Sequence, residues 1–173
     1  NKNDIEAIKD YTSCITIDKE SLDAYFRRGV VKSNLGDRNG AISDYDFILQ
    51  YKGASKLKTA DIATVYNNKA YCLVGLNKFK EALPLVNQAL ELRKDKWYIW
   101  DTRGEIYYKM GNFKKCIEDM NMAVSIKPNG NSYFHLGLSK IKLNDKENGC
   151  KDLSKAGELG TIEAYNEIKK NCK

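Results

Sequence analysis

Small and apolar residues recur along the chain at the spacing of amphipathic helices. In five segments a small residue is followed four positions later by a second residue, usually larger and apolar, and three positions after that by a third. The five sets are Ala7, Tyr11, Cys14; Ala41, Tyr45, Ile48; Ala82, Val86, Ala89; Cys116, Met120, Ala123; and Gly149, Leu153, Ala156. Positions three, four and seven apart lie on one face of a 3.6-residue helix. The pattern predicts five helices that each bury one face.

A second group of helices is predicted upstream of four of these segments. Each begins near an aromatic residue and carries a small residue four positions later: Tyr25 and Gly29, Tyr66 and Ala70, Trp100 and Gly104, Tyr133 and Gly137. The aromatic residues are 41, 34 and 33 positions apart. A step of about 34 residues is typical of helix-turn-helix repeats. Because small residues let helix axes approach to about 8–10 Å, the sequence predicts helix pairs that stack on one another.

The third repeat carries the residues of a known family. Trp100, Gly104, Tyr107 and Pro128 resemble the signature of the tetratricopeptide repeat, or TPR. The resemblance extends over nearly the whole chain. It implies an all-α fold, a right-handed α-solenoid of stacked antiparallel helix pairs (the TPR superhelix), with a C-terminal capping helix.

The repeats also depart from the family pattern. Arg103 stands in place of Leu, Cys116 in place of Ala, and Met120 in place of Phe. The fourth repeat is degenerate, with Lys140 for the second Tyr and Gly149 for Ala. The segment from Gly149 to Cys172 is similar to the C-terminal ends of many bacterial TPR proteins, which favours a bacterial origin.

The repeats predict a single TPR domain over residues 1–173. Its predicted parts are the second helix of a truncated repeat (1–20), repeat 1 (22–55, with an insertion to 62), repeat 2 (63–96), repeat 3 (97–129), degenerate repeat 4 (130–160) and the capping helix (161–173). Because the chain starts inside a repeat, we expect a fragment or a processed product. The localisation, cytoplasmic or exported, is therefore left open, since such a start hides any signal peptide.

The 41-residue step indicates seven extra residues near Tyr51–Thr59. One interpretation is a longer loop with an extra helical turn, and the other is a protruding binding loop. The first is favoured, because insertions are readily accommodated in loops.

The charge pattern narrows the class of partner. The formal net charge is +6, and lysines alternate with acidic residues as on solvated helix faces. No basic run with interleaved aromatic residues occurs, so nucleic acid is not an expected partner. No apolar run approaches the 18 or more residues of a membrane span, so none is predicted.

The five cysteines form no C-x-x-C pair, which argues against zinc and thioredoxin-like sites. Cys14 and Cys116 occupy small packing positions of the repeats. Cys150 and Cys172 lie on two predicted helices that are antiparallel around Gly160. Two alternatives remain open for this pair, a disulfide in an oxidising compartment or two packed, reduced thiols.

The sequence offers no recognisable catalytic group. His135 is the only histidine, and no cysteine or paired carboxylates accompany it. A general base would need a nucleophile and an orienting partner. We therefore predict a protein that is not an enzyme, with no cofactor and no metal.

The TPR resemblance implies where a ligand would bind. In that family the first helix of each pair lines the concave face, and set positions after the opening aromatic face the groove. Mapped onto this chain, the candidates are Phe26, Arg27, Val30, Asn34, Asn67, Asn68, Tyr71, Tyr98, Asp101, Thr102, Glu105, Tyr108, Phe134, His135 and Leu138. Aromatic rings and amides suit an extended peptide.

A peptide-carboxylate clamp of the type found in chaperone-binding TPR domains is not expected. Phe26 and Val30 occupy positions where that clamp needs Lys and Asn, although Asn68 is present in the middle repeat.

Three functional hypotheses follow from these patterns. The first is a non-catalytic scaffold that binds a peptide or a helix on its concave face, with a protein or peptide partner of unknown identity. The second is a structural module that self-associates through its truncated N-terminal end, where an apolar edge is left uncovered. The third is an accessory domain of a larger enzyme or regulator.

Overall fold

The computed structural model describes residues 2–51 and 59–172, with side chains from residue 62 onward in the second range. Within these ranges the regular secondary structure is entirely helical, which confirms the all-α prediction. The helices are α1 (Lys2–Ile17), α2 (Leu22–Asn34), α3 (Arg38–Gln50), α4 (Thr59–Gly75), α5 (Phe79–Leu92), α6 (Trp97–Lys109), α7 (Phe113–Ile126), α8 (Gly130–Lys142), α9 (Lys146–Glu158) and α10 (Glu163–Asn171). The insertion predicted near 51–59 lies almost wholly outside the described residues.

The helices group into two compact units, Asn1–Arg93 and Lys94–Lys173. In the N-terminal unit, α2 packs on α3 and α4 on α5, while α1 packs on α2 and α3 on α4. In the C-terminal unit, α6 packs on α7 and α8 on α9, while α7 packs on α8 and α10 on α9. Stacked helix pairs are thus present in each unit. The single domain over residues 1–173 stays a prediction.

The two helices of each pair are joined by a tight turn with a left-handed residue. These residues are Gly36, Asn77, Gly111 and Asn144, with φ between 59° and 86°. Glycine and asparagine adopt this conformation most readily. In three of the four turns an Asp or Asn then caps the second helix by accepting a hydrogen bond from a backbone N–H: Asp37, Asn112 and Asp145. We call α2, α4, α6 and α8 the first helices and α3, α5, α7 and α9 the second helices.

The crossing between paired helices is the most tightly packed part of each unit. Ala41, Ala82 and Cys116, the small residues of three predicted sets, have no exposed surface. Long side chains reach across to the small residue of the first helix. A Cβ atom added to Gly29 would lie 2.8 Å from the ring of Tyr45, so the side chain there has to be small.

Helix α1, which the sequence predicts to be the second helix of a truncated repeat, differs from α3, α5, α7 and α9. Its predicted set, Ala7, Tyr11 and Cys14, contains no buried residue, and Cys14 is exposed. The equivalent Tyr45 and Ile48 of α3 are each 1% exposed. Within the described residues α1 packs mainly on α2, where Tyr11 forms a side-chain hydrogen bond with Arg27, and its set is therefore covered less completely than that of α3.

Arg103, the departure from the family's Leu, forms a buried ion pair. Its Nε and Nη2 donate to the two carboxylate oxygens of Asp119 at 2.7 and 2.8 Å, and its guanidinium lies 5.0 Å from the ring centre of Trp100. Repeat 1 has the same arrangement with Arg28 and Asp44, at 3.0 and 2.7 Å. Burial raises the pKa of Asp119, and Arg103 opposes that shift. The positive charge of Arg103 is therefore tolerated between the two helices, because it is paired with the carboxylate of Asp119.

The degenerate repeat 4 brings two helix backbones into direct contact. A Cβ atom added to Gly149 would lie 2.7 Å from the carbonyl oxygen of Gly137, and one added to Gly137 would lie 2.7 Å from that of Gly149. At the corresponding crossing of repeat 3, a Cβ on Gly104 would meet the terminal methyl of Met120 at 2.8 Å. Position 149 thus requires glycine because the backbone of Gly137 lies against it, whereas Gly104 faces the flexible side chain of Met120.

This contrast gives a matched pair of substitutions. We expect Gly149→Ala to lower the free energy of unfolding by about 1–3 kcal/mol, because the Gly137 backbone cannot move aside cheaply. We expect Gly104→Ala to be close to neutral, since methionine adapts and alanine adds up to about 1 kcal/mol of helix propensity. Urea unfolding monitored by circular dichroism measures both. Equal losses for the two variants would contradict this account of the crossing.

Candidate functional site

Four of the predicted groove residues meet at one pocket of the N-terminal unit. Val30 and Asn34 reach it from α2, and Asn68 and Tyr71 from α4. The cavity has a volume of about 190 Å³, and Ser33 and Tyr45 complete its lining. We call it the α2–α4 pocket. The TPR resemblance implied that these four residues face the groove, and the structure places them around one cavity.

The base of the α2–α4 pocket is fixed by neighbouring contacts. Tyr45, from α3, is 1% exposed, and it forms a side-chain hydrogen bond with Asn68. Burial raises the pKa of Tyr45, so its hydroxyl stays protonated near neutral pH. The Cys72 thiol donates to Ser33 Oγ at 3.3 Å and ties α4 to α2. The floor of the pocket is therefore rigid and carries polar groups.

Tyr71 forms the open rim of the same pocket. It is 54% exposed, although it lies on a helix that packs on three others. A packing role would bury the ring, whereas an exposed ring offers contact area at a low cost in side-chain entropy. The exposure of Tyr71 therefore favours contact with a ligand over a role in bridging adjacent helices.

Phe26 and Arg27 line a separate cavity of the N-terminal unit, with a volume of about 390 Å³. Phe26 is partly buried against the core of α3 and α4, and its ring centre lies 6.3 Å from that of Tyr45. Arg27 is exposed and pairs with Asp23 at 2.7 Å. These two candidates are not part of the α2–α4 pocket.

Three predicted groove residues lie beneath the surface. Asn67, Thr102 and His135 are 5%, 5% and 7% exposed. The Thr102 hydroxyl donates to the carbonyl oxygen of Tyr98 at 2.9 Å, and Nδ1 of His135 lies 3.1 Å from that of Asn131. The Thr102 and His135 side chains are thus engaged with the backbone of their own helices, whereas Oδ1 of Asn67 has no hydrogen-bond partner within the described residues. A groove role for the three residues stays a prediction. They lie within the helix packing.

Asp101 has a structural contact as well. Its carboxylate accepts hydrogen bonds from the Ser132 hydroxyl and from Asn131 Nδ2, the latter at 2.8 Å. The three residues tie α6 to α8 in the C-terminal unit. Both carboxylate oxygens of Asp101 therefore already accept a hydrogen bond from α8.

The remaining candidates of the C-terminal unit are distributed over its first helices. Tyr108 and Leu138 line a cavity of about 240 Å³ together with residues of α10. Phe134 packs against the core beneath α9 and α10. Tyr98 contacts Trp97 edge to face at 6.0 Å, and Glu105 is partly exposed on α6.

Sequence reasoning missed several residues that line these cavities. Tyr45 was assigned to packing, but its hydroxyl end reaches the α2–α4 pocket. Glu167 and Lys170 belong to the capping helix, and they line the cavity beside Tyr108. A capping helix packs on α9 in the place that a further first helix would occupy, and that equivalence is the signal that could have found them.

In the part of the chain that the structure describes, no group of three or more His, Cys, Asp or Glu side chains is arranged to hold a metal ion. Among the same residues, no helix combines the length and the apolarity that crossing a membrane requires.

The cysteines divide into three kinds of environment. Cys150 of α9 and Cys172, directly after α10, are joined by a disulfide with Cα atoms 5.8 Å apart. Cys72 and Cys116 are buried, and burial raises the pKa of both thiols, that of Cys116 to about 12. Cys14 is an exposed free thiol.

Two family models match the chain. Both describe the tetratricopeptide repeat, and they match residues 63–96 and 97–129.

Two curated relatives are also similar. The TPR repeat-containing protein MJ1428 of Methanocaldococcus jannaschii is 25% identical over 70% of this chain. The mitochondrial import receptor subunit TOM70 of Rattus norvegicus is 29% identical over 77% of it. The chain spans 22% of the length of each of these relatives.

Solved structures share the fold. MamA (residues 41 to the end) from Desulfovibrio magneticus RS-1 has a TM-score of 0.77 and 21% identity, covering 90% of this chain and 85% of that one. The first TPR of Spaghetti (RPAP3), bound to an HSP90 peptide, has a TM-score of 0.62 and 22% identity, covering 65% of this chain and 92% of that one. These likenesses confirm the predicted fold, in which helix pairs stack as in TPR solenoids.

The cysteine environments predict a definite labelling pattern. In the native, non-reduced protein we expect iodoacetamide to modify Cys14 alone, because alkylation needs an accessible thiolate. Cys72 and Cys116 should become reactive on unfolding, and Cys150 and Cys172 only after reduction. Peptide mass spectrometry reads out each site. Alkylation of Cys150 and Cys172 without reductant would show that this pair is two free thiols.

Proposed function

Because the chain is a tetratricopeptide-repeat protein, we propose that it is a non-catalytic interaction scaffold that binds a peptide or a helix on its first helices. In the family these helices line the concave face. The partner is a protein or peptide, and the binding residues are those of the first helices that remain exposed.

The α2–α4 pocket carries this proposal. It combines an exposed aromatic rim, Tyr71, with the amides of Asn34 and Asn68. An amide can donate to a backbone carbonyl and accept from a backbone N–H, which suits an extended peptide. The aromatic ring supplies contact area, and the fixed floor reduces the entropy lost on binding.

The comparisons support the general form of this function. The RPAP3 repeat domain was solved with an HSP90 peptide, and TOM70 is an import receptor subunit. Since this chain spans only 22% of its curated relatives, we also retain the proposal that it serves as an accessory domain of a larger enzyme or regulator.

A non-catalytic role is consistent with the chemistry of the candidate surface. The α2–α4 pocket is lined by amides, hydroxyls and apolar groups. His135, the only histidine of the chain, is buried between aromatic rings at 5.1 and 5.7 Å. TPR proteins such as the matched relatives are generally scaffolds, and binding is the function that the surface supports best.

The α1 face favours self-association as a second candidate function. Ala7, Tyr11 and Cys14 occupy the positions that are covered by a first helix in the four complete pairs. A second copy of the chain could cover this apolar surface.

The peptide proposal predicts the effect of one double substitution. Peptides selected from a phage-displayed random heptapeptide library against the wild-type protein should bind Asn68→Ala/Tyr71→Ala at least about tenfold more weakly, the loss typical of an anchor residue. Fluorescence anisotropy measures the affinity. Asn121→Ala/Met122→Ala removes an exposed amide and an exposed apolar side chain from the second helix α7 and should leave binding unchanged. Selected peptides that bind both double variants as tightly as the wild type would contradict the proposal.

Self-association predicts a concentration-dependent mass. Light scattering of the wild type at high concentration should show a dimer, because two uncovered α1 faces would bury each other. Cys14→Asp should give a monomer, since it places a charge on that face. Ser13→Asp, one position away and exposed, should leave the dimer intact. A wild-type protein that stays monomeric at every concentration would remove this function.

A further inference from the structure

We propose that the C-terminal unit holds a second binding site, which takes an apolar side chain of a peptide with a carboxylate beside it. The site is the cavity between Tyr108, Leu138 and Ile141 on one side and the capping helix α10 on the other. It extends the proposed function, on which it rests, to a pocket that the capping helix completes.

The wall formed by the first helices is apolar and fixed. The ring of Tyr108 contacts His135 edge to face at 5.1 Å and Phe113 at 5.7 Å. Leu138 and Ile141 are partly buried, and they pack against the core that contains Leu153. Side chains held by such contacts form the pocket before a ligand arrives, which lowers the cost of binding.

The rim of the cavity is positively charged. Lys142 lies at the end of α8, and it forms no ion pair within residues 62–172, the described part of its surroundings. Lys170 of α10 approaches Glu167 only to 4.0 Å, and its side chain is 73% exposed. The Glu167 carboxylate accepts from Asn171 Nδ2 at 2.9 Å. Lys142 therefore remains at the rim for an anionic group, and Lys170 adds a second positive charge that Glu167 offsets only in part, from 4.0 Å.

The capping helix is anchored firmly enough to serve as a wall. Ala164 is fully buried against α9, and the Cys150–Cys172 disulfide fastens the end of α10 to the same helix. A Cβ atom on Gly157 would lie 2.9 Å from the ring of Tyr165, so α10 also packs closely at its start. Both ends of this short helix are thus held, and Glu167, Lys170 and Asn171 keep their places at the cavity.

The size of the cavity decides what kind of ligand fits. Its volume of about 240 Å³ is below the roughly 300–1,000 Å³ of pockets that enclose a small molecule. One large apolar side chain fills such a space, and the lysines at the rim would then meet a carboxylate next to it. This combination is found in a peptide that carries Leu, Ile, Phe or Met adjacent to Asp or Glu.

The test uses a phage-displayed random heptapeptide library selected on the full chain carrying Asn68→Ala/Tyr71→Ala, so that the α2–α4 pocket does not contribute to the selection. We expect enrichment of peptides with an apolar residue adjacent to Asp or Glu. Lys142→Glu should weaken an enriched peptide about tenfold or more in fluorescence anisotropy, because it reverses a charge at the rim. Lys114→Glu makes the same change of charge on α7 and should have no effect. Cys150→Ser/Cys172→Ser, which releases the end of α10, should also weaken binding.

The possible results distinguish failure of the second site from failure of the proposed peptide-binding function. Enriched peptides that bind Lys142→Glu as tightly as Lys114→Glu overturn the second site, while peptide binding elsewhere stands. Enrichment of apolar residues beside Lys or Arg overturns it as well. If this selection yields no binding peptide, the second site is overturned, and selection on the wild-type protein tests the proposed function separately. If Cys150→Ser/Cys172→Ser has a lower unfolding midpoint, the Lys142→Glu and Lys114→Glu pair still decides the question, because both positions are exposed.

Discussion

The close crossing between the two helices of each pair is the contact on which the rest of the structure depends. At each crossing a glycine or alanine of the first helix faces the second helix across little space, as Gly29 faces Tyr45 and Gly137 faces Gly149. A short helix pair cannot bury its apolar face alone, so the crossings and the stacking between pairs stabilise the fold together. Because packing is concentrated there, the outward faces of the first helices tolerate different residues, and specificity can be located on them.

The ion pairs between paired helices likewise belong to the packing and not to the outward faces where a ligand would bind. Desolvating Asp119 is unfavourable, and the bidentate contact with Arg103 offsets that cost. Such pairs contribute little net stability compared with apolar residues of similar size, but removing one partner leaves a charge without compensation. The same arrangement of Arg28 with Asp44 in repeat 1 indicates that these ion pairs belong to the packing of paired helices in repeats 1 and 3.

Much of the fold could be predicted from the sequence, because small residues at a step near 34 leave few alternatives to stacked helix pairs. The candidate surface was predicted less completely. Neighbouring positions on a helix differ in direction by about 100°, so a small rotation decides whether a residue such as Thr102 or Asn67 faces a groove or the adjacent helix. Tyr71 and Asn68 lie far enough from the packing stripe to escape this ambiguity. The lysine rim beside α10 could not be predicted, since it depends on how a short terminal helix is anchored.

The central claim is that packing residues and binding residues occupy different faces of the same helices. A two-dimensional NMR titration of the protein with a selected peptide tests it most directly. We predict that the amide and side-chain signals that shift will belong to exposed residues of the first helices, above all Asn34, Asn68 and Tyr71. Shifts concentrated on the outer surface of the second helices α3, α5 and α7, with Asn68 and Tyr71 unaffected, would contradict the account.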